Sequence, residues 1–395
     1  HIGLFYESFN LFPIQPMNKI RIALKMLPLI FLLLLPLSTN AQMTPHTLES
    51  GLRFVSKDTT FSYRVNPVLQ NQLIFSDTKA HSPEFLVKNR RTRFYVTGFV
   101  IDPRLTYKIQ LRFESNNQNL YDAAFKFQIN PKLSIWFGQE TLPAARSQLV
   151  SLKYLQFVDR SIVHSIFDLQ KDLGLWAFYK TTLGTSELRI SSALSNGEGI
   201  FRGANTQGYS YTGRVDWLPL GTFIKGGDIK GSDIQREPMP KLALGVAYNF
   251  NDEANASRGQ RGLEFPNELT TDISTLYLDG MFKYQGWSIM GEWIVRTTKD
   301  PILKAEIPVF DGHGYSIQGG YLLDNNVELA LRLAVTEPNI SIQDKMNTVE
   351  EYTFGLNKYI AQYSLKIQGD VSYRLSTGIE PSHSIQSRLQ VTINF

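Results

Sequence analysis

The chain has 395 residues, of which 43% are hydrophobic, 12% aromatic and 19% charged, with 40 Lys+Arg against 36 Asp+Glu and no cysteine. That apolar fraction excludes a disordered chain, and a mean hydropathy of −0.17 excludes a bundle of membrane helices. Lacking cysteine, the chain has no disulfides, thiolate metal sites or Cys nucleophiles, and a net charge of +4 is too small to mark a nucleic-acid binder.

Residues 1–16 precede Met17 and read as an upstream extension of the reading frame. From Met17 the chain carries a basic segment (Lys19, Arg21, Lys25), an apolar run over Leu27–Leu37, and the small-residue stretch Ser38-Thr39-Asn40-Ala41. This is the pattern of a secretory signal peptide over 17–41. Pro28 and Pro36 break the run and argue against a buried or anchoring helix. The mature chain, 42–395, is expected to be exported as one domain.

Beyond Ala41 the apolar residues alternate. In 105–114, Leu105, Tyr107, Ile109, Leu111 and Phe113 oppose Thr106, Lys108, Gln110, Arg112 and Glu114. In 121–129, Tyr121, Ala123, Phe125 and Phe127 oppose Asp122, Lys126 and Gln128. The same period runs through 327–336, 363–375 and the last eleven residues, where Ile385, Leu389, Val391, Ile393 and Phe395 share one face. Successive side chains of a strand point to opposite faces, so each segment is a strand with one apolar and one polar face. Less regular candidates include 61–75, 92–102, 133–140, 172–183, 187–195, 209–218, 241–250, 274–284, 287–297, 314–323 and 352–360. With 51–56 and Thr222–Lys230 the tally reaches about sixteen to eighteen strands of roughly ten residues, the length that crosses a tilted bilayer span.

Aromatic residues gather at strand ends (Tyr121, Trp136, Trp217, Tyr248, Phe250, Trp287, Tyr321, Tyr359), as interfacial girdles require. Phe395 supplies a terminal aromatic on the apolar face. These features point to an all-β transmembrane antiparallel barrel of about 16 strands rather than a soluble sandwich. A barrel of that size encloses water. Its inward faces carry Lys108, Arg112, Arg214, Arg332 and Lys366 as candidate pore-lining cations, slightly outnumbering the inward acids. At 139–172 the strand pattern lapses. A long mixed insert there is expected to fold into the lumen as a constriction, with Arg146, Lys153, Arg160 and Lys171 at the narrowest point and Asp159, Asp168 and Asp172 partly neutralising them.

Gly138-Gln139, Pro143 and Arg146, then Phe157-Val158-Asp159-Arg160-Ser161 and Lys171-Asp172-Leu173-Gly174, resemble segments of the phosphate-selective porin O and P family. So do Ser195-Asn196-Gly197-Glu198-Gly199, Gly213-Arg214-Val215 and Met281-Phe282-Lys283-Tyr284-Gln285-Gly286-Trp287, in the same order over roughly 90–395. The resemblance implies a trimeric, sixteen-stranded porin of a Gram-negative outer membrane, with lipid around it and small anions such as phosphate passing through it. The near balance of inward charge departs from the family's dense arginine ladder and lysine cluster. A general non-selective barrel or a structural outer-membrane protein therefore stands as the alternative. An outer-membrane hydrolase is the remote one: His46, His81, His164, His313 and His383 sit in no nucleophile or metal spacing. No catalytic residue, metal ligand or cofactor is expected, and no nucleic-acid partner.

Overall fold

The computed structural model describes residues 42–43, 51–78, 81–114, 117–200, 208–266, 268–302, 307–379 and 381–395. The upstream extension and signal peptide assigned to residues 1–41 lie outside the described residues.

Sixteen antiparallel strands close into a ring: β1 Phe61–Thr78, β2 His81–Val100, β3 Asp102–Glu114, β4 Asn117–Gln128, β5 Leu133–Thr141, β6 Lys171–Leu183, β7 Ser186–Ser195, β8 Ser210–Leu218, β9 Lys241–Ala254, β10 Thr271–Tyr284, β11 Trp287–Thr298, β12 Gly312–Leu322, β13 Val327–Pro338, β14 Thr348–Ala361, β15 Leu365–Thr377 and β16 Ser382–Asn394. Neighbours in sequence pair throughout, and β16 pairs with β1 from Asn394↔Val68 to Ser384↔Thr78. The Phe395 amide donates to Pro67 O, and its carbonyl accepts from the Asn66 side chain at 2.8 Å, so the terminal residue is fixed at the seam. Closure leaves no unpaired sheet edge, the condition for a strand-built membrane span. A short strand, Leu52–Val55, pairs with the start of β1 beneath the seam.

The alternation sets the faces. Leu389, Val391 and Ile393 point outward, while Gln390, Thr392 and Asn394 are buried inside. Leu331 is 66% exposed on the outer wall and Arg332 beside it 4%. Trp217, Tyr248 and Trp287 are exposed outside, as girdle residues are.

Four expectations need correction. β2 begins at His81 rather than near 92, so a basic run falls inside a strand. A register shift between Gln110 and Leu111, opposite β4, marks a bulge that turns both Tyr121 and Asp122 inward. Tyr359, and Trp136 with it, also belong to the inner surface, not to a girdle: Tyr359 is 2% exposed and Trp136 lines the lumen. Finally, Thr222–Lys230 is not a strand. It belongs to the long connection between β8 and β9, which runs into the barrel from the end that otherwise carries tight turns.

Candidate functional site

The insert between β5 and β6 folds into the lumen. It holds a short helix α1, Arg146–Leu149, a 3-10 turn at Leu152–Tyr154, and a helix α2, Ile162–Phe167. Ser161 caps α2, its Oγ accepting from the His164 amide at 3.2 Å. The loop has an apolar face, and the wall has a matching one. Leu142, Val163, Phe167 and Leu169 pack on Trp176, Tyr277, Ile294 and Phe310, all buried. Val150 and Leu155 pack on Leu218, Phe223, Met281 and Met290. Burying these side chains supplies the main drive for the loop to turn inward rather than stand in water.

Polar groups of the wall then take up the loop's backbone. Lys366 Nζ and the Gln368 amide donate to Leu155 O, and Asn357 donates to Gln156 O. Asp370 accepts from the Val158 amide at 3.0 Å, and Arg332 donates to Asp159 O at 2.9 Å. Asp159 itself lies among Arg91 (2.5 Å), Arg90 and Arg388 (both 3.3 Å). Burial pushes its carboxyl up, yet these three guanidinium groups hold it below the usual carboxylate range. The β8–β9 connection completes the plug from the other end: Gly231 N donates to Tyr154 O at 2.9 Å. A Cβ on Gly231 would lie 2.8 Å from Gln156 N, so only glycine permits this approach of two backbones.

This arrangement relocates most of the candidate residues. Arg146 is 1% exposed, paired with Asp216 (2.7 Å) and Asp279 (2.8 Å), and donates to Asp228 O. Arg214 pairs with the same two acids and donates to Ala144 O. Lys171 is held by Asp122 and Thr141. Arg332 pairs with Glu351 at 3.0 Å under the Phe157 ring, and Lys366 is fully buried. The expectation that Arg214, Arg332 and Lys366 meet solute is therefore corrected: they bind the loop to the wall. Arg146 and Lys171 border the remaining cavity, but both are ion-paired, Arg146 holding the loop to the wall and Lys171 joining β6 to Asp122 of β4. Arg160 and Lys153 remain part-exposed on the loop. Arg160 donates to Ser147 O (2.7 Å) and Val150 O (2.6 Å), and Lys153 Nζ lies 5.8 Å from the Tyr95 ring of the opposite wall. Burial pulls the Arg160 guanidinium down from its ordinary value, with Asp168 opposing.

What the loop leaves open lies against β1–β7. A cavity of about 530 Å³ is bounded by the loop's Leu149, Leu152 and Arg160 and by Arg93, Tyr95, Lys108, Tyr121, Trp136 and Phe178 of the wall. A second, of about 390 Å³, lies toward the turn end and shares Lys108 and Trp136 with the first. The two lie end to end along the same wall, on either side of Lys108 and Trp136. The upper one is charged but paired: Arg93 with Glu114 (2.7 Å), Lys108 with Glu140 (2.7 Å) and Asp122 (3.2 Å), Arg189 with Asp228 (2.6 Å). Arg112 lies over Tyr121 with Glu114 3.9 Å away. The lower one is lined by Arg53, Arg64, Lys108 and Lys126, with no carboxylate among the described lining residues. Arg53 and Arg64 stand directly opposite in register, an arrangement that costs stability unless an anion lies between them.

Arg53, Arg64, Arg91 and Arg93 escaped the sequence reading. Alternation did carry the signal in part, since Arg91, Arg93, Tyr95 and Thr97 share one face of β2. Distance in sequence hid another group: Ser147 Oγ lies 3.2 Å from His164 Nδ1, and His164 Nε2 lies 3.3 Å from Asp168. The trio is not arranged for acyl transfer. Ser147 is buried, and its amide, one donor that could stabilise an oxyanion, already donates to the Glu292 carboxylate at 2.6 Å.

The family model described as phosphate-selective porin O and P matches residues 71–330. No curated protein matches the chain. Solved structures with a similar fold include the outer membrane protein OmpT of Vibrio cholerae, at TM-score 0.54 and 10% identity over 85% of this chain and 100% of that one. OprB of Pseudomonas putida follows at 0.55 and 10%, over 84% and 94%. The outer membrane channel DcaP of Acinetobacter baumannii gives 0.55 and 11%, over 88% and 100%. At such identities the likeness is one of fold.

Proposed function

From the premise that this chain belongs to the phosphate-selective porin O and P family, an outer-membrane barrel channel of a Gram-negative bacterium, we propose that it passes small anions along the β1–β7 side of its lumen. The observation that carries the reading is the group Arg53, Arg64 and Lys126 at the turn-end mouth, with no carboxylate among the described residues lining it; Lys108 beside them already faces Glu140 and Asp122. Rings of one charge sign in a pore favour the opposite ion. The low-dielectric walls around such a group focus its field.

Phosphate is the solute that the family description names, and it is a proposal for this chain. The upper passage supports preference more than tight selection, because nearly every cation there already faces a carboxylate. We further propose that the mature chain, 42–395, follows a cleaved leader at 17–41, and that it works as a trimer, the form of the Vibrio cholerae OmpT structure. Purified protein in planar bilayers under a potassium chloride gradient tests the reading. The reversal potential should lean to chloride, and phosphate should reduce chloride current. A lean to potassium would refute the anion path, and an anion lean without an effect of phosphate would leave a general porin.

A further inference from the structure

The upper cavity carries more aromatic surface than a path for bare inorganic anions needs. Tyr95, Tyr121, Trp136 and Phe178 line one side, and Leu149 and Leu152 of the loop face them. Trp136 and Phe178 are half-buried, with ring centroids 5.2 Å apart and planes tilted at 56°, so each also presents surface to the cavity. Lys126 Nζ lies 5.6 Å from the Trp136 ring, and Arg93, Arg112 and Lys171 all approach the Tyr121 ring within 4.9 Å.

The cations around this cavity differ in what they face. Arg93, Lys108, Arg146, Lys171 and Arg189 are each ion-paired with a carboxylate. Arg160 donates instead to two backbone carbonyls, and no carboxylate lies within ion-pairing distance of it among the described residues. Carbonyl acceptors leave the guanidinium charge balanced only at a distance, by Asp168 and Asp159. The cavity thus sets Arg160, which has no carboxylate partner at ion-pairing distance, against one side built from Tyr95, Trp136 and Phe178, in about 530 Å³ whose remaining lining is largely polar and ion-paired. That volume lies in the roughly 300–1,000 Å³ range of small-molecule sites, where apolar side chains and placed polar groups fix a ligand together.

We propose that the constriction is a binding station for organic anions that carry a flat ring, aromatic carboxylates being the class that fits it. The carboxylate pairs with Arg160, and the ring lies against Trp136 and Phe178. The inference rests on the anion path proposed above and gives its narrowest segment a substrate class. Inorganic phosphate gains the charge but not the wall, and it would shed its water against apolar surface.

The test uses the full channel in planar bilayers, with chloride as carrier and benzoate, acetate or phosphate added at equal millimolar concentrations. Benzoate should halve the chloride current at a lower concentration than phosphate or acetate needs. Trp136→Ala should raise the half-blocking benzoate concentration by about tenfold, the size of one lost aromatic contact. Trp136→Phe should raise it far less, and Phe178→Leu serves as a second variant if Trp136→Ala does not insert. Equal block by all three anions, or a benzoate block that neither ring substitution weakens, would overturn the inference while leaving the anion path intact. A reversal potential leaning to potassium in the unsubstituted channel would instead overturn the path itself, and this inference with it.

Discussion

The ammonium of Lys366, on β15, donates to the carbonyl oxygen of Leu155 at 2.8 Å, across 211 residues of sequence. Gln368 donates to the same oxygen at 3.2 Å. A cation on the inner wall thus serves as a bracket for the constriction loop. Lys366→Met should weaken the seat of the loop without ejecting it, at about 1–3 kcal/mol for a lost buried partner. The folded band on an unheated gel should then disappear at a lower temperature, while the reversal potential stays near that of the unsubstituted channel. Unchanged heat resistance with a shifted reversal potential would place the ammonium in the solute path instead.

Leu331 and Arg332 test the two faces of one strand. Leu331→Arg places a cation on the lipid side and should cost about 2–4 kcal/mol near the midplane. Arg332→Leu should also destabilise, by a different route. It removes the donor to Asp159 O and one of the two cations on Glu351, leaving that buried carboxylate with Arg374. Urea unfolding in lipid vesicles separates them: Leu331→Arg should impair insertion itself, whereas Arg332→Leu should insert and unfold earlier. An Arg332→Leu barrel of full stability would contradict the observed packing.

The barrel was legible because period-two alternation is local: Leu389, Gln390, Val391, Thr392 and Ile393 announce their faces without reference to any other strand. The inward loop was legible because an insert of that length in a barrel wall must go somewhere. What the loop touches was not, since Arg388 meets Asp159 across 229 residues and no local pattern encodes that meeting. A bulge is equally invisible, and one register shift was enough to move Tyr121 from outer to inner wall. Counting inward charges also misled, because pairing rather than number decides which charges a solute meets. The cluster Arg53, Arg64 and Lys126 sits on three separate strands, assembled by register alone.

Asp159 is the loop's anchor to β2 and β16. Asp159→Asn removes a carboxylate from among Arg90, Arg91 and Arg388 and leaves three like charges close together. The channel should lean further to anions in reversal-potential measurements and lose heat resistance. Because the folded carboxyl sits below its ordinary value, its contribution is present at neutral pH and is lost only on strong acidification. Heat resistance that is unaffected by Asp159→Asn would show that the anchor contributes nothing.

His164 sets a milder pH dependence. Burial lowers its imidazole below the ordinary value of 6.5, with Asp168 opposing and Arg160 adding to the fall. The unfolded chain therefore binds the proton more readily, so the loop's seat is full-strength above that value and weakens as pH drops below it. The temperature at which the folded band is lost should fall between pH 7.5 and pH 5.5. His164→Gln should flatten that difference. An equal fall in the variant would assign the effect to other groups.

The central claim is that anions follow the β1–β7 wall, drawn by Arg53, Arg64 and Lys126 at its turn-end mouth, none of which has a carboxylate partner among the described residues. Its most direct test is the reversal potential of single channels in a potassium chloride gradient, before and after Arg64→Glu combined with Lys126→Glu. Both side chains face the lower cavity, and neither anchors the loop. The unsubstituted channel should prefer chloride, and the double variant should move the reversal potential toward, or past, zero selectivity. A double variant that folds, conducts and keeps the original reversal potential would contradict the claim.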